Sequence, residues 1–240
     1  MRTQMIEFAD RKTLCVFPEK RSDLEQALSE LNLGSAFSVI VLIGGAINKL
    51  QSKATLRAIQ TIAKLAQEMN ILVICGGTDM GVMAKIGQVR SQNNYTFPLV
   101  GITVEALVTW PGGPPSAKFL WWGTERVQLE PHYPYFILTP GSQFGDESPW
   151  IIDAATFFSE GHQSLTVLIN GGEVSRKDVQ LSLEEGRPIL VLSHTGRLAD
   201  EISQDFGRNG LITVVSANMD DRIREVIYAA LNIDQARVIV

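Results

Sequence analysis

Cysteine and histidine are scarce in this 240-residue chain, at two and three residues. Cys15 and Cys75 are too few for a disulfide framework and read as two reduced, buried thiols of a cytosolic protein. No His, Cys, Asp and Glu set has metal-ligand spacing, so no metal is expected. Basic charge is also short: 21 Lys and Arg stand against 26 Asp and Glu, a formal net charge of −5. Nucleic-acid binders normally show a basic face, so that function class is disfavoured. Long apolar runs are missing. The longest, around 36–47, is broken by glycine and falls short of the roughly 20 residues that span a bilayer. The opening MRTQMIEFADRK has no apolar core of a secretion signal. No membrane partner is expected, and the expected location is the cytoplasm.

What remains has ordinary globular composition, 45% hydrophobic and 20% charged, and enough length for one large core. No linker, repeat or low-complexity tract divides it, so 1–240 reads as a single domain. The 20 glycines are clustered. Gly44-Gly45 follows SVIVLI (38–43), Gly76-Gly77 follows ILVIC (71–75), and Pro140-Gly141 follows YFILT (135–139). Gly171-Gly172 follows LTVLIN (165–170) and Gly196 follows PILVLSHT (188–195). These runs are continuously apolar rather than alternating, which is how strands covered on both faces read. TLCVF (13–17) adds a strand at the N-terminus.

Helical periods lie between the runs, at Leu56, Ile59, Ala63, Ala66 and Met69, and at Val82, Met83, Ile86 and Val89. A third stripe runs from Met219 through Ile223 and Ile227. Segment 147–159 is apolar nearly all round and reads as a buried helix. Ser22, with Glu25 at capping-box spacing, predicts an N-cap for a helix ending at Gly34. The expected fold is α/β: a Rossmann-like, doubly wound, mostly parallel sheet of about seven or eight strands, with helices on both faces. Residues 103–133, rich in Pro, Gly and Trp, read as an inserted hairpin or long loop.

Parallel α/β sheets bind ligands at the carboxyl ends of their strands. Glycine there lets backbone N–H groups approach a ligand, and the following helix N-terminus favours an anion. The GGTDMG turn (76–81) has the required strand before it and helix after it, with Thr78 or Asp79 as a cap and Gly81 in the first turn. It is neither GxGxxG nor a Walker A loop. NGGEVS (170–175) offers Asn170, Gly171, Gly172 and Ser175, the serine also a plausible cap. HTGRLAD (194–200) offers Gly196, Arg197 as a fork for phosphate or carboxylate, and Asp200 as a hydroxyl acceptor, a local cap or an ion-pair partner of Arg197. GGAI (44–47) adds Gly44, Gly45 and Ala46, and Gly141 ends a further strand. Asp146 and Glu147 stand before the buried helix, where acidic residues usually compensate the dipole. Trp110, Trp121 and Trp122 can stack on a purine or fill a local core.

Together, VIVLIGGA (39–46), ICGGTDMGVM (74–83), HYPYFILTPG (132–141), FGDE (144–147), LINGGEVS (168–175) and PILVLSHTGRLAD (188–200) resemble the SLOG (LSDAT) superfamily. Within it they resemble the prokaryotic stand-alone relatives of the cytosolic N-terminal region of TRPM channels. The resemblance implies a Rossmann-like domain that binds or senses nucleotide-derived ligands such as ADP-ribose, NAD or a nucleoside phosphate at these loops. No cofactor is expected beyond such a nucleotide-derived ligand. Two sister branches keep alternatives open. LOG phosphoribohydrolases share GG-x-x-x-G-(L/V)-M, matched by Gly76 to Met83, and carry a PGGxGTxxE loop with a catalytic glutamate. NGGEVSRKD (170–178) departs from that loop and leaves Asp178 as the matching acid. An N-glycosidase with Glu147, Glu173 or Asp178 as acid, base or stabiliser is therefore the alternative. The Smf/DprA branch binds single-stranded DNA, which the charge disfavours. A structural or assembly module is the third reading. The Trp-rich insertion and the apolar end ARVIV (236–240) suggest a homo-oligomer.

Overall fold

The computed structural model describes residues 1–9, 11–34, 37–45, 52–114, 126–205 and 209–233. Strands β1 (Arg2–Phe8) and β2 (Arg11–Phe17) lead to helix α1 (Leu24–Glu30). The chain then alternates through β3 (Val39–Gly44), α2 (Ser52–Met69), β4 (Leu72–Cys75), α3 (Gly81–Gln92) and β5 (Leu99–Val104). Short strands β6 (Val108–Thr109) and β7 (Val127–Gln128) precede β8 (Tyr135–Thr139) and α4 (Ser148–Phe158). The alternation resumes with β9 (Ser164–Ile169), α5 (Glu173–Glu184), β10 (Ile189–Ser193), α6 (Arg197–Gln204), β11 (Ile212–Ser216) and α7 (Asp220–Ala230).

Nine strands form one sheet in the order β1-β2-β8-β5-β4-β3-β9-β10-β11, and all pairs are parallel except β1–β2. The doubly wound, mostly parallel sheet is the architecture expected, with one strand more than the upper count. Three sheet strands, β1, β5 and β11, were not among the named runs, and the RTQMIEF of β1 buries only Ile6. A polar strand exposed on the free edge of a sheet carries no apolar run to announce it.

Two apolar layers cover the sheet. Residues of α2, α3 and α7, such as Ile62, Ile86 and Ile227, pack one face. Residues of α1, α4, α5 and α6, such as Leu28, Trp150, Val179 and Leu198, pack the other. The central strands are buried along their length; β3 and β9 show burial on both faces from Val39 to Ile43 and from Leu165 to Ile169. This is why they lack alternation.

Winding starts at β3 and proceeds through β4 and β5 in one direction, with α2 and α3 on one face. It restarts at β9, on the other side of β3, and proceeds through β10 and β11 with α5 and α6 on the opposite face. Chain direction across the sheet thus reverses between β3 and β9. The crossovers that follow them diverge to opposite faces and leave a crevice at the carboxyl ends of these two strands.

Several local expectations are revised. Ser22 is not the cap of α1: residues 21–23 form a 3-10 turn, and Asp23 Oδ2 accepts from the Glu19 and Lys20 amides instead. The turn shifts the start of α1 to Asp23, which stands at the N-cap without a side-chain cap of its own. Neither Thr78 nor Asp79 caps α3, which Met80 precedes with no side-chain cap. Ser175 lies inside the first turn of α5, after Gly172 at the N-cap. In the segment 103–133, Thr103 and Val104 complete β5. β6 and β7 then pair parallel, where a tight hairpin would run antiparallel. Trp110 is buried against Phe17, with ring centroids 5.8 Å apart, and fills a local core. Trp121, Trp122 and ARVIV lie outside the described residues.

Candidate functional site

The crevice between β3 and β9 opens into a cleft of about 440 Å³, a size suited to a small-molecule ligand. Its floor is the apolar end of β3, Leu42 and Ile43, with Ile151 of α4. Its walls are the glycine turns after three strands: Gly44 and Gly45 after β3, Gly76 and Thr78 after β4, and Gly172 after β9.

Gly44 is glycine for a packing reason. A methyl group there would overlap the Ile169 carbonyl oxygen and come within 2.7 Å of Val82 Cγ2. The β3 end therefore sits directly against β9 and α3, and no side chain stands between backbone and cleft. Gly171 has φ +94, where an L side chain is strained, and its turn swings the chain into α5.

Arg197 supplies the cationic group. It begins α6 at φ +51 and lines the cleft. Its guanidinium reaches back across both glycine turns. A methyl group on Gly45 would stand 3.0 Å from Nη1, and one on Gly172 would collide with Nη2. Arg197 makes no hydrogen bond or ion pair among the described residues, whereas Arg176 nearby is held by Glu201 at 2.8 Å. An unpaired fork, the open N-terminus of α5 and glycine backbone together suit an anion.

The opposite wall is acidic. Glu147 and Asp178 both line the cleft and are only 5% exposed. Burial pushes the Asp178 carboxyl from 3.8 up to about 7; Glu147 adds to the rise, and Ser148 and Lys177 oppose it. Burial likewise raises Glu147, partly offset by backbone amides including that of Gly145, which donates to Oε2 at 2.7 Å. Asp178 Oδ1, Thr103 Oγ1 and Asn170 Oδ1 are buried without a hydrogen-bond partner. Of these, Asp178 and Thr103 line the cleft, and unpaired oxygens there fit a ligand bearing hydroxyl groups.

The structure gathers Gly44, Gly45, Gly76, Thr78, Gly172, Ser175 and Arg197 at the cleft, together with the acids Glu147, Glu173 and Asp178. Glu173 lies at the solvent edge, its side chain 90% exposed and 3.8 Å from Arg176. Asn170 and Gly171 stand one layer back: Asn170 Nδ2 donates to the Thr195 carbonyl at 2.7 Å and fixes the β9 turn to the β10 turn. Gly196 and Asp200 serve α6, since Asp200 accepts from the Thr195 and Gly196 amides. Gly77 faces inward, with φ +72, against Phe136 and Gly101. Asp79 points outside the cleft, and Gly81 opens α3 at φ +53. Gly141 packs on Asp146 in the loop before α4. Ala46 lies outside the described residues. Among the described residues no cluster of potential metal ligands occurs, and no helix is long and apolar enough to cross a membrane.

Met80, Met83, Thr103, Phe144 and Val174 also line the cleft and were not marked by the sequence. Met83 and Thr103 fall inside apolar runs that read as core. Phe144 lies between Gln143 and Gly145 and Val174 between Glu173 and Ser175, with no pattern to show which way they face.

A family model described as SLOG in TRPM, prokaryote, matches residues 37–236. The chain belongs to this SLOG family. Over 201 residues the SLOG chain is 26% identical to transient receptor potential cation channel subfamily M member 2 of Rattus norvegicus, covering 69% of this chain and 13% of the channel. It therefore spans a small part of that relative. Among solved structures the domain superposes on TM1055, a structural-genomics target, with TM-score 0.54 and 19% identity, over 80% of this chain and 99% of the other. It also superposes on the molybdenum cofactor carrier protein of Chlamydomonas reinhardtii, with TM-score 0.51 and 14% identity, over 80% and 99%. At these identities the likeness is one of fold. It places this SLOG domain among Rossmann-like proteins.

Proposed function

We propose that the cleft between β3 and β9 binds a nucleotide-derived small molecule, of the ADP-ribose, NAD or nucleoside-phosphate class. The observation that carries this reading is Arg197, an unpaired guanidinium held over the Gly45 and Gly172 turns at the N-terminus of α5. A phosphate placed there accepts from the fork and from backbone N–H groups at once. The orphaned oxygens of Asp178 and Thr103 on the other wall suit sugar hydroxyls. The cofactor-carrying role in the name of the molybdenum cofactor carrier protein supports small-molecule binding on this fold, and family membership supports the site. The cytoplasm is the location proposed for this role and a homo-oligomer the proposed assembly, with neither nucleic acid nor a membrane as a proposed partner.

Thermal-shift screening and calorimetry against ADP-ribose, NAD, AMP and ribose 5-phosphate test the reading. At least one phosphorylated ligand raises the Tm, and Arg197→Gln weakens its Kd by about tenfold or more while the unliganded Tm stays put. A panel without any shift, or binding indifferent to Arg197→Gln, would overturn it.

Asp178 favours a second reading, hydrolysis of an N-glycosidic bond. A buried carboxyl that titrates near 7 is half protonated at neutral pH and suits general acid–base work. In that reaction the C1′–N bond breaks with its electron pair passing to the base. Water delivers hydroxide to C1′, and its proton ends on the departing base.

A further inference from the structure

Large apolar side chains exposed among the described residues are few, and Met80, Phe144 and Val174 all line this one cleft. Phe144 is 39% exposed, on the loop between β8 and α4. That loop is fastened. Ser142 and Gln143 amides donate to Asp146 Oδ2 at 2.9 and 3.2 Å, Gly145 N–H donates to Glu147 Oε2, and Lys177 Nζ donates to the Gly145 carbonyl at 2.6 Å. Val174, in the first turn of α5, lies against Gly145, with its methyls 3.7 and 3.8 Å from where a Cβ on that glycine would stand. Met80, 45% exposed, stands just before α3 on the β4 side. A phenyl ring left in water on a loop fastened this firmly is placed for something other than packing.

Resting on the nucleotide reading above, we propose that Phe144, Val174 and Met80 form the subsite for the ligand's nucleobase, with Phe144 as its stacking face. Phenyl rings stack on the π-faces of planar heterocycles whatever their edge pattern. Methionine and valine side chains supply a polarizable and an apolar flank. None of the three side chains offers a strong donor, so this subsite recognises a flat ring rather than one base in particular. Arg197 and the glycine turns then hold the phosphate end, and one cleft takes both ends of a single molecule. Phe144, Val174 and Met80 are specificity residues that favour nucleotides over sugar phosphates.

Calorimetry on the full chain with AMP, GMP and ribose 5-phosphate tests this, using wild type, Phe144→Ala and Phe144→Trp. Wild type binds AMP and GMP more tightly than ribose 5-phosphate and within a few-fold of each other. Phe144→Ala weakens AMP about tenfold, with ribose 5-phosphate unchanged. Phe144→Trp restores AMP binding, and adenine quenches the new indole's emission where ribose 5-phosphate does not. Equal wild-type affinity for AMP and ribose 5-phosphate would overturn the nucleobase subsite alone. So would equal loss of both in Phe144→Ala, which marks a structural role. Wild type binding none of the three would overturn this subsite, and the nucleotide reading falls with it when ADP-ribose and NAD fail to bind as well.

Discussion

Asp178 shows how burial at a single residue can set both stability and chemistry. In the unfolded chain its carboxyl titrates near the ordinary 3.8; in the fold it titrates near 7. Between about pH 4 and 7 the folded chain therefore holds a proton that the unfolded chain has released. Stability falls as pH rises through that window, and above it the gap costs about 4 kcal/mol. Glu147, raised by burial too, tilts the slope the same way. Urea unfolding of wild type gives lower stability at pH 8 than at pH 5, and Asp178→Asn removes most of the difference. A wild-type stability that climbs from pH 5 to 8 would contradict this account. The same variant bears on hydrolysis: base release from AMP or NAD, if present in wild type, is lost in Asp178→Asn. Asp178 was legible before the fold because it stands where the related loop carries its glutamate. Phe144 was not, since its environment is set by a loop closed through Lys177 and Asp146, and no periodicity runs through such a loop.

At the scale of elements, adjacent glycines in the β4 turn do different work. Gly77 has φ +72, and a Cβ there would stand 2.6 Å from Phe136 Cε1 and 2.7 Å from Gly101 Cα. Phe136 is itself stacked on Tyr133 with centroids 5.4 Å apart, so it cannot yield. Gly76 has only Met83 Cγ nearby, at 3.9 Å, and faces the cleft. Gly77→Ala should cost about 2–4 kcal/mol through strain and overlap. Gly76→Ala should stay within about 1 kcal/mol of wild type yet weaken nucleotide binding. Chemical unfolding and calorimetry on the two variants separate these effects; equal destabilisation would show that both glycines are packing glycines. Strand-end position was readable in the sequence for each. Which glycine meets a ligand and which meets a phenylalanine depends on β5 and β8, neighbours brought alongside by pairing. Ser22 failed as a cap because residues 21–23 are taken up in a 3-10 turn, which moves the start of α1 one residue on to Asp23.

Across the whole molecule, the row of glycine turns becomes a site because the winding reverses between β3 and β9. The apolar runs and helical stripes were enough to call a doubly wound sheet, and the sheet places their glycine ends on one edge. The order of strands is set by long-range pairing, so the crevice could not be located until β9 was seen beside β3. β1 was missed because an exposed edge strand needs no apolar face. The central claim is that this crevice, and no other cleft, takes a nucleotide through Arg197 and the glycine turns. Hydrogen–deuterium exchange with and without saturating AMP or ADP-ribose tests it most directly. Slowed exchange at the amides of Gly44–Gly45, Gly76–Thr78 and Gly172–Ser175, lost in Arg197→Gln, is the predicted result. Protection confined to another face, or a bound ligand that leaves these three turns unchanged, would contradict the account.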